Sequence, residues 1–334
     1  MKSPKWQPIF LILILVFLFV LPVFVSSPRY VNLINQLFLN IVLALGVYSL
    51  WTVGYINAAQ PVFFGFGAYT VAILTMKAHW PFWLVFPMAG IVPAVIAFIF
   101  GWATLKMKGA YFMFVTIAFC QLIVWLFSAW KGLFGGIDGL FPIPQPEIHA
   151  FGLDINFGAS LTPYYYLALI LVVLTCLVYF RIHNSRLGRV WESVGKNPDI
   201  LANTGVAVFS QKLICFVISC FFAGLAGAVY APYMTIASPG AISLWQGIWI
   251  VLGVLVGGIF GPVGAIIGTI FIAILNVVLQ GFRQFQPLIL GSILILVLLF
   301  MPTGIFGLSE KARNKFKDVF LNKKGAQPDH KEIT

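Results

Sequence analysis

The chain has 334 residues, 61% of them hydrophobic and 9% charged, with a mean hydropathy of +1.00. Soluble domains are about 45–50% apolar and about 25% charged, so a soluble fold is excluded, as are a disordered, a collagen-like or a disulfide-rich chain. The apolar runs are continuous, which excludes a membrane β-barrel with its alternating strands, and the net charge of +11 is gathered in a few short segments, which points to membrane topology and not to nucleic acid.

The expected class is an all-α polytopic membrane protein of about ten transmembrane helices, organised as a single transmembrane domain over residues 1–334. A span needs about 20 mostly apolar residues. The runs predict spans near 9–25, 35–53, 61–78, 83–105, 110–130, 161–180, 213–232, 244–261, 263–282 and 287–305. The first follows Lys2 and Lys5, as a signal peptide would. It ends at Ser26-Ser27-Pro28 without a small-x-small cleavage site, so a retained span is expected. The boundaries at 53–61 and 261–263 are broken only by Gly, Pro and a few polar residues, where a turn and a re-entrant or broken helix both fit.

Orientation follows from Lys and Arg. With the N-terminus in the cytoplasm, sixteen of the twenty cationic residues fall on the cytoplasmic side. These are Lys2 and Lys5; Lys106 and Lys108; Arg181, Arg186, Arg189, Lys196 and Lys212; and seven from Lys311 to Lys331. Arg29, Lys77, Lys131 and Arg283 fall outside. Both termini and a basic tail over 306–334 are therefore expected in the cytoplasm. Every charged residue falls outside the spans or at an end of one, which disfavours a proton-driven transporter. Energy is expected to enter from outside this chain.

Residues 131–160 form the long outer segment, with Gly132, Gly135, Gly136, Gly139, three prolines and the acids Asp138, Glu147 and Asp154. A disordered connection and a partner-docking cap both fit, and the aromatic and Ile/Leu content favours the cap. Residues 181–212 form the largest internal cytoplasmic segment. Val190, Trp191 and Val194 stand at helical spacing, Pro198 can open a second short helix, and Gly205 can close it. Two short helices with a turn at Lys196-Asn197-Pro198 are expected. They would serve either as an interfacial loop or as a docking element for a cytoplasmic protein, with Glu192, Asp199 and Asn203 as its polar contacts.

Small residues recur at Ala223-Gly-Leu-Ala-Gly-Ala228, and at Gly253, Gly257, Gly261, Gly264 and Gly268. Such ridges let membrane helices approach closely, here within the chain in preference to a subunit interface. Asn57, Gln60, Thr116, Gln121, Ser219, Gln246, Asn276 and Gln280 are the main polar residues within the spans. They can line a weakly binding passage or join helices by hydrogen bonds. Cys120, Cys176, Cys215 and Cys220 lie in apolar runs without metal-like spacing, and His79, His149, His183 and His330 lie in separate segments. No metal, cofactor or catalytic constellation is expected. Gly65-Phe-Gly67 lacks a dinucleotide-binding context, and no P-loop is present.

Over about residues 35–308 the chain resembles the permease subunit of ABC importers for branched-chain and related hydrophobic amino acids. Several stretches carry the resemblance: Gly54-Tyr-Ile-Asn-Ala-Ala-Gln-Pro-Val-Phe-Phe-Gly-Phe-Gly-Ala-Tyr69, Leu105-Lys-Met-Lys-Gly-Ala-Tyr-Phe112 with Val115-Thr116, and Phe134-Gly-Gly-Ile-Asp-Gly-Leu-Phe-Pro-Ile-Pro144. Ser185-Arg-Leu-Gly-Arg189 leading to Ala202-Asn-Thr-Gly205, Ala223 to Tyr230, and Gly257 to Gly264 complete it. The resemblance implies a type II importer-like permease fold in a bacterial cytoplasmic (inner) membrane. Its implied partners are cytoplasmic ATP-binding subunits, a second permease and an extracytoplasmic solute-binding protein. It implies coupling to the ATPase through Glu192, Lys196, Asp199, Ala202, Asn203 and Gly205, a translocation pathway by Asn57, Gln60, Tyr69, Thr116 and Gln121, and binding-protein docking at Gly135, Gly136, Asp138 and Gly139. The chain departs from the family in carrying Asn57-Ala-Ala-Gln60 where Ser-Leu-Gly-His is usual. It also has Leu201-Ala202-Asn203 where an acid and alanines are usual.

The expected function is that of a transmembrane subunit, without an ATPase site of its own, in an ATP-driven importer of a small hydrophobic amino acid. The rival is a self-contained facilitator or channel for a small neutral solute such as an amide or urea. It would need no partner and could dispense with 181–212. A membrane-embedded enzyme stands third.

Overall fold

The computed structural model describes residues 27–107, 109–150, 153–157, 160–258 and 261–279, with isolated positions at 18–22 and 288–295. The helices in chain order are α1 (Pro28–Thr52), α2 (Gln60–Met76), α3 (Phe82–Thr104), α4 (Gly109–Ala129), α5 (Lys131–Phe134), α6 (Thr162–Asn184), α7 (Arg186–Lys196), α8 (Pro198–Asn203), α9 (Val208–Met234), α10 (Leu244–Gly257) and α11 (Pro262–Leu279). Between α5 and α6 stands an antiparallel hairpin of β1 (Glu147–Ala150) and β2 (Leu153–Asn156), with Glu147 opposite Asn156. The chain is an all-α polytopic membrane protein, and this small hairpin is a departure that the sequence pattern did not signal.

Among the described residues seven helices are long and apolar enough to cross a membrane, and α2 is a shorter apolar one. They coincide with the expected spans from 35–53 to 263–282. The expected spans at 9–25 and 287–305, the Lys2–Lys5 cluster and the 306–334 tail lie essentially outside the described residues, and the described helices do not confirm ten.

The helices group into two compact units, divided between Val251 and Leu252. The first is built on α2, α3 and α9, which meet backbone to backbone. A Cβ added to Gly67 would lie 2.0 Å from the Gly224 carbonyl oxygen, and one on Gly227 would lie 1.9 Å from that of Phe64. One on Gly224 would lie 2.2 Å from the Ala89 oxygen of α3. The small-residue ridge of α9 therefore packs within the chain. α1 and α6 flank this body, and α4 joins it through rings, with Phe119 stacked on Phe100 of α3 at 4.1 Å. In the second unit α10 and α11 also touch through glycines, Gly257 against Gly264 and Gly268 against Gly253.

Cations separate between the ends of the first unit. α1, α3 and α6 end, and α4 and α9 begin, at the end that carries Lys106, Arg181, Arg186, Arg189, Lys196 and Lys212. Arg29, Lys77 and Lys131 stand at the opposite end, with the 131–157 segment.

Gly227→Ala forces a methyl group onto backbone, and overpacking of this kind costs roughly 1–3 kcal/mol. Gly132→Ala is the control, since its Cβ would meet nothing nearer than 3.9 Å. Melting of the detergent-solubilised protein is expected to show a lower midpoint for Gly227→Ala only. Equal midpoints for the two variants would contradict the backbone contact.

Candidate functional site

α1 does not pass through a simple surface turn into α2. Residues 53–59 are non-helical and mostly buried, and Gly54 supplies a left-handed φ of +84° at their start. Gly46 shows how far they turn back: a Cβ there would lie 2.4 Å from Gln60 Nε2 and 2.6 Å from Ser219 Oγ. Gly46 precedes the end of α1 by six residues, roughly 9 Å at the helical rise, so α2 starts about that deep. Its 17 residues span about 25 Å, short of the roughly 30 Å hydrocarbon core. The chain covers the remaining depth in unwound form. Of the readings left open at 53–61, a turn is found: α1 and α2 run in opposite directions, and the chain returns between them as buried, unwound backbone. Irregular backbone at membrane depth needs internal partners.

Asn57 and Gln60 supply them. The Ala59 amide donates to Asn57 Oδ1 at 2.9 Å, and Asn57 Nδ2 donates to Gln60 Oε1 at 2.8 Å. Gln60 Nε2 donates to Ser219 Oγ at 3.0 Å and to the Ser219 carbonyl at 3.2 Å, and the Ser219 hydroxyl can return a bond to Gln60 Oε1 at 3.2 Å. All three residues are fully buried. Asn57 accepts from the amide two residues on, as in an Asx turn, and its side-chain amide meets Gln60 at the start of α2. The node thereby ties α2 to α9 beside α1, and Gly46 leaves the room it occupies.

The other pathway candidates divide. Thr116 is fully buried and donates to the Met113 carbonyl of its own helix at 2.8 Å. It shares the buried face of α4 with Phe112, Cys120, Ile123 and Phe127. Tyr69 packs on Phe127 at 4.5 Å, and its buried hydroxyl has no hydrogen-bond partner. Gln121 stands on the exposed side of α4 with Leu122 and Trp125, apart from the others.

The expected pair of short helices forms at 186–203. Ser185 caps α7 by accepting from the Gly188 amide at 3.4 Å, and Pro198 opens α8. Trp191 and Val194 are buried, and Trp191 Nε1 donates to Gln211 Oε1 at 3.3 Å. α7 sits directly on the end of α1: a Cβ on Gly195 would lie 2.1 Å from the Thr52 oxygen and 3.2 Å from the Gly54 nitrogen. The next residue, Tyr55, anchors the unwound stretch. Its hydroxyl donates to the Met107 carbonyl at 2.8 Å, with Leu105 at 3.1 Å, and accepts from Lys212 Nζ at 3.2 Å. Of the coupling candidates, Glu192 and Lys196 pair with each other at 2.7 Å on the surface, an arrangement worth about 0.3–0.5 kcal/mol. Asp199, Ala202, Asn203 and Gly205 are exposed along and just after α8. So is Ile200, 65% exposed, an apolar residue that no sequence pattern singles out.

At the opposite end, 131–143 is an ordered turn. The Leu140 and Ala237 amides each donate to the other's carbonyl, at 2.9 and 3.0 Å. A Cβ on Gly139 would lie 2.2 Å from the Ala237 oxygen. Gly135, Gly136 and Gly139 thus shape the backbone with positive φ. The side chains presented are Asp138, Ile137 and Phe141, all exposed. Ile137 and Phe141 were not legible as surface residues, because apolar side chains beside a membrane span read as part of it. Among the described residues no cluster of His, Cys, Asp or Glu could hold a metal ion.

Spanning helices, an unwound turn held by a buried polar node and a two-helix surface element docked beside it make up a polytopic membrane protein. The chain belongs to the family of the branched-chain amino acid transport system permease component, whose sequence profile matches residues 29–302. It is 28% identical over 320 residues to the high-affinity branched-chain amino acid transport system permease protein LivM of Salmonella typhimurium, covering 90% of this chain and 75% of that one. It is 24% identical over 307 residues to the LivH permease protein of the same type of system in Escherichia coli K12, covering 85% and 98%. A shorter match, 30% over 130 residues, reaches the guanosine ABC transporter permease protein NupQ of Bacillus subtilis, covering 39% and 38%. No solved structure gives a significant match.

Gln60→Leu removes the amide oxygen and nitrogen from the node and strands Asn57 Nδ2 and the Ser219 hydroxyl. A buried polar group left without its partner costs about 1–3 kcal/mol. A lower melting midpoint is expected, larger than that of Ser219→Ala, which removes only the hydroxyl. A Gln60→Leu protein as stable as wild type would contradict the node.

Proposed function

We propose that this chain is a membrane-spanning subunit of an ATP-driven importer for a small hydrophobic amino acid, foremost a branched-chain one. It would act in a bacterial cytoplasmic membrane with both termini inside. The observation that carries the proposal is the seating of α7, through Gly195, on the Thr52–Gly54 corner. That corner runs straight into the unwound stretch and the Asn57–Gln60–Ser219 node. A partner that moves α7–α8 therefore pushes on an irregular, buried piece of backbone between two membrane helices. Family membership over 29–302 and the printed functions of the LivM and LivH relatives support the solute class.

In this reading the ATP-binding subunits take the exposed face of 198–205, with Asp199, Ala202, Asn203 and Gly205 as contacts and the Glu192–Lys196 pair at its edge. The chain has no ATPase site of its own. A second permease completes the passage, and it is a different chain, as matches to both LivM and LivH support. The solute-binding protein docks on the turn that holds Gly135, Gly136 and Gly139 in shape and presents Asp138. Asn57, Gln60, Tyr69 and Thr116, which the fold brings into the bundle, border the route, and Gln121 stands apart from them on the exposed side of α4. The solute is held mainly by its binding protein, so the route needs no charged clamp.

The test replaces residues 198–205 with a Gly/Ser linker of equal length. α7 is kept, because Trp191 and Val194 are buried in the bundle. Co-expressed with the ATP-binding subunits, the variant is expected to insert at normal yield, to lose their co-purification and to lose uptake. Co-purification at the wild-type level would show that the subunits dock elsewhere.

A further inference from the structure

One corner of the first unit gathers positive charge that no acid of its own elements offsets. α3 ends there at Thr104, α4 begins at Gly109 and α9 begins at Val208. Gly101 seats α3 against α9 at this level, since its Cβ would lie 2.8 Å from Phe216 and 3.0 Å from Leu213. Lys106 reaches over two rings, with Nζ 5.5 Å from the centroid of Trp102 and 6.0 Å from that of Phe209. Lys212 stands over Tyr55 at 4.8 Å and donates to its hydroxyl. That hydroxyl bonds the Met107 carbonyl at 2.8 Å, with Leu105 at 3.1 Å, so the two lysines share the 105–107 turn. A ring face attracts an ammonium without cancelling its charge. α3, α4, the turn between them and α9 contain no Asp or Glu, and among the described residues neither lysine forms an ion pair.

An apolar track runs along α3 into this corner. Ile91, Val95, Ile99 and Trp102 follow at helical spacing, all exposed, and Lys106 is the next position on the same stripe. Ile99 is 66% exposed and Trp102 50%. Met107 and Tyr111 add exposed apolar surface beside it. On a membrane helix such a stripe meets acyl chains, and Lys106 stands where the apolar span gives way to headgroups. A free anion would use the charge and leave the track unused. A zwitterionic headgroup brings an ammonium of its own, which the two lysines repel. Charge and track together fit an anionic head on acyl chains. We propose that this corner is a binding site for an anionic phospholipid. Its phosphodiester meets the Lys106 ammonium, Lys212 behind it adds to the field, and its chains lie along the α3 stripe. The headgroup thereby bears on the turn to which Tyr55 ties the unwound stretch.

The test gives the purified full chain phosphatidylglycerol or phosphatidylcholine of matched acyl chains and follows it by native mass spectrometry and by melting. Phosphatidylglycerol is expected to bind roughly tenfold tighter than phosphatidylcholine and to raise the melting midpoint. Lys106→Gln is expected to weaken phosphatidylglycerol binding about fivefold, to lose most of the rise in midpoint and to leave phosphatidylcholine binding unchanged. Lys106→Arg keeps the charge and is expected to keep both effects. Arg186→Gln is the control, a cation of the same end on α7 and off the α3 stripe, and is expected to behave as wild type. An equal loss in Lys106→Gln and Arg186→Gln would show diffuse attraction to a basic surface and overturn the proposal. So would a Lys106→Gln protein that binds phosphatidylglycerol as wild type does. Inorganic phosphate alone is expected to leave the midpoint unchanged, and an equal rise with phosphate would overturn the lipid assignment. Intact lipid binding in Lys106→Gln with loss of co-purifying ATP-binding subunits would make the corner a protein contact and also overturn the proposal.

Discussion

Everything in the first unit depends on how closely α2 can approach α9. In a bilayer, apolar side chains gain little by leaving lipid for one another, so membrane helices associate through close packing and hydrogen bonds. Gly67, Gly224 and Gly227 permit backbone contact of α9 with α2 and, through Ala89, with α3. That contact fixes the start of α2 beside the middle of α9, and so brings Ser219 to Gln60. Without it, the unwound stretch before α2 would have no fixed acceptor, and its amides would lie unpaired at membrane depth.

The unwound stretch then joins the two functional ends of the structure. At one side of it Tyr55 ties the α3–α4 turn and Lys212 together, and Gly195 sets α7 against Thr52. At the other, Asn57 and Gln60 close on α9. A displacement of α7–α8 has a short path through covalent chain and hydrogen bonds into the membrane interior.

Much of this was legible in the sequence because the bilayer enforces it. Long apolar runs located the described spans within a few residues, and Pro198 marked the start of α8 as expected from its missing amide. The glycine ridge on α9 was readable as a packing surface inside the chain. What could not be read were distant pairings. Gln60 and Ser219 are separated by 159 residues, and no local pattern links them. Gly46 looked like one more small residue in an apolar helix until Gln60 lay against it. The orientation of α4 was also hidden, since a helix apolar on all sides has no polar face to reveal which side is buried. Thr116 and Gln121 therefore read as equivalent, although Thr116 faces inward and Gln121 outward. The β1–β2 hairpin was masked by the prolines and glycines of 131–160, which read as loop.

The central claim is that backbone contact holds α2, α3 and α9 as one body, so that a displacement of α7–α8 reaches the unwound stretch before α2 and not the α2–α9 contact. Spin-label distances in the assembled transporter, measured with and without ATP, test it most directly. One label pair spans the exposed ends of α2 and α9, and a second spans α8 and the exposed end of α2. An α2–α9 distance that stays constant while the α8–α2 distribution shifts is the expected result. A changing α2–α9 distance, or an α8–α2 distance that does not respond to ATP, would contradict the claim.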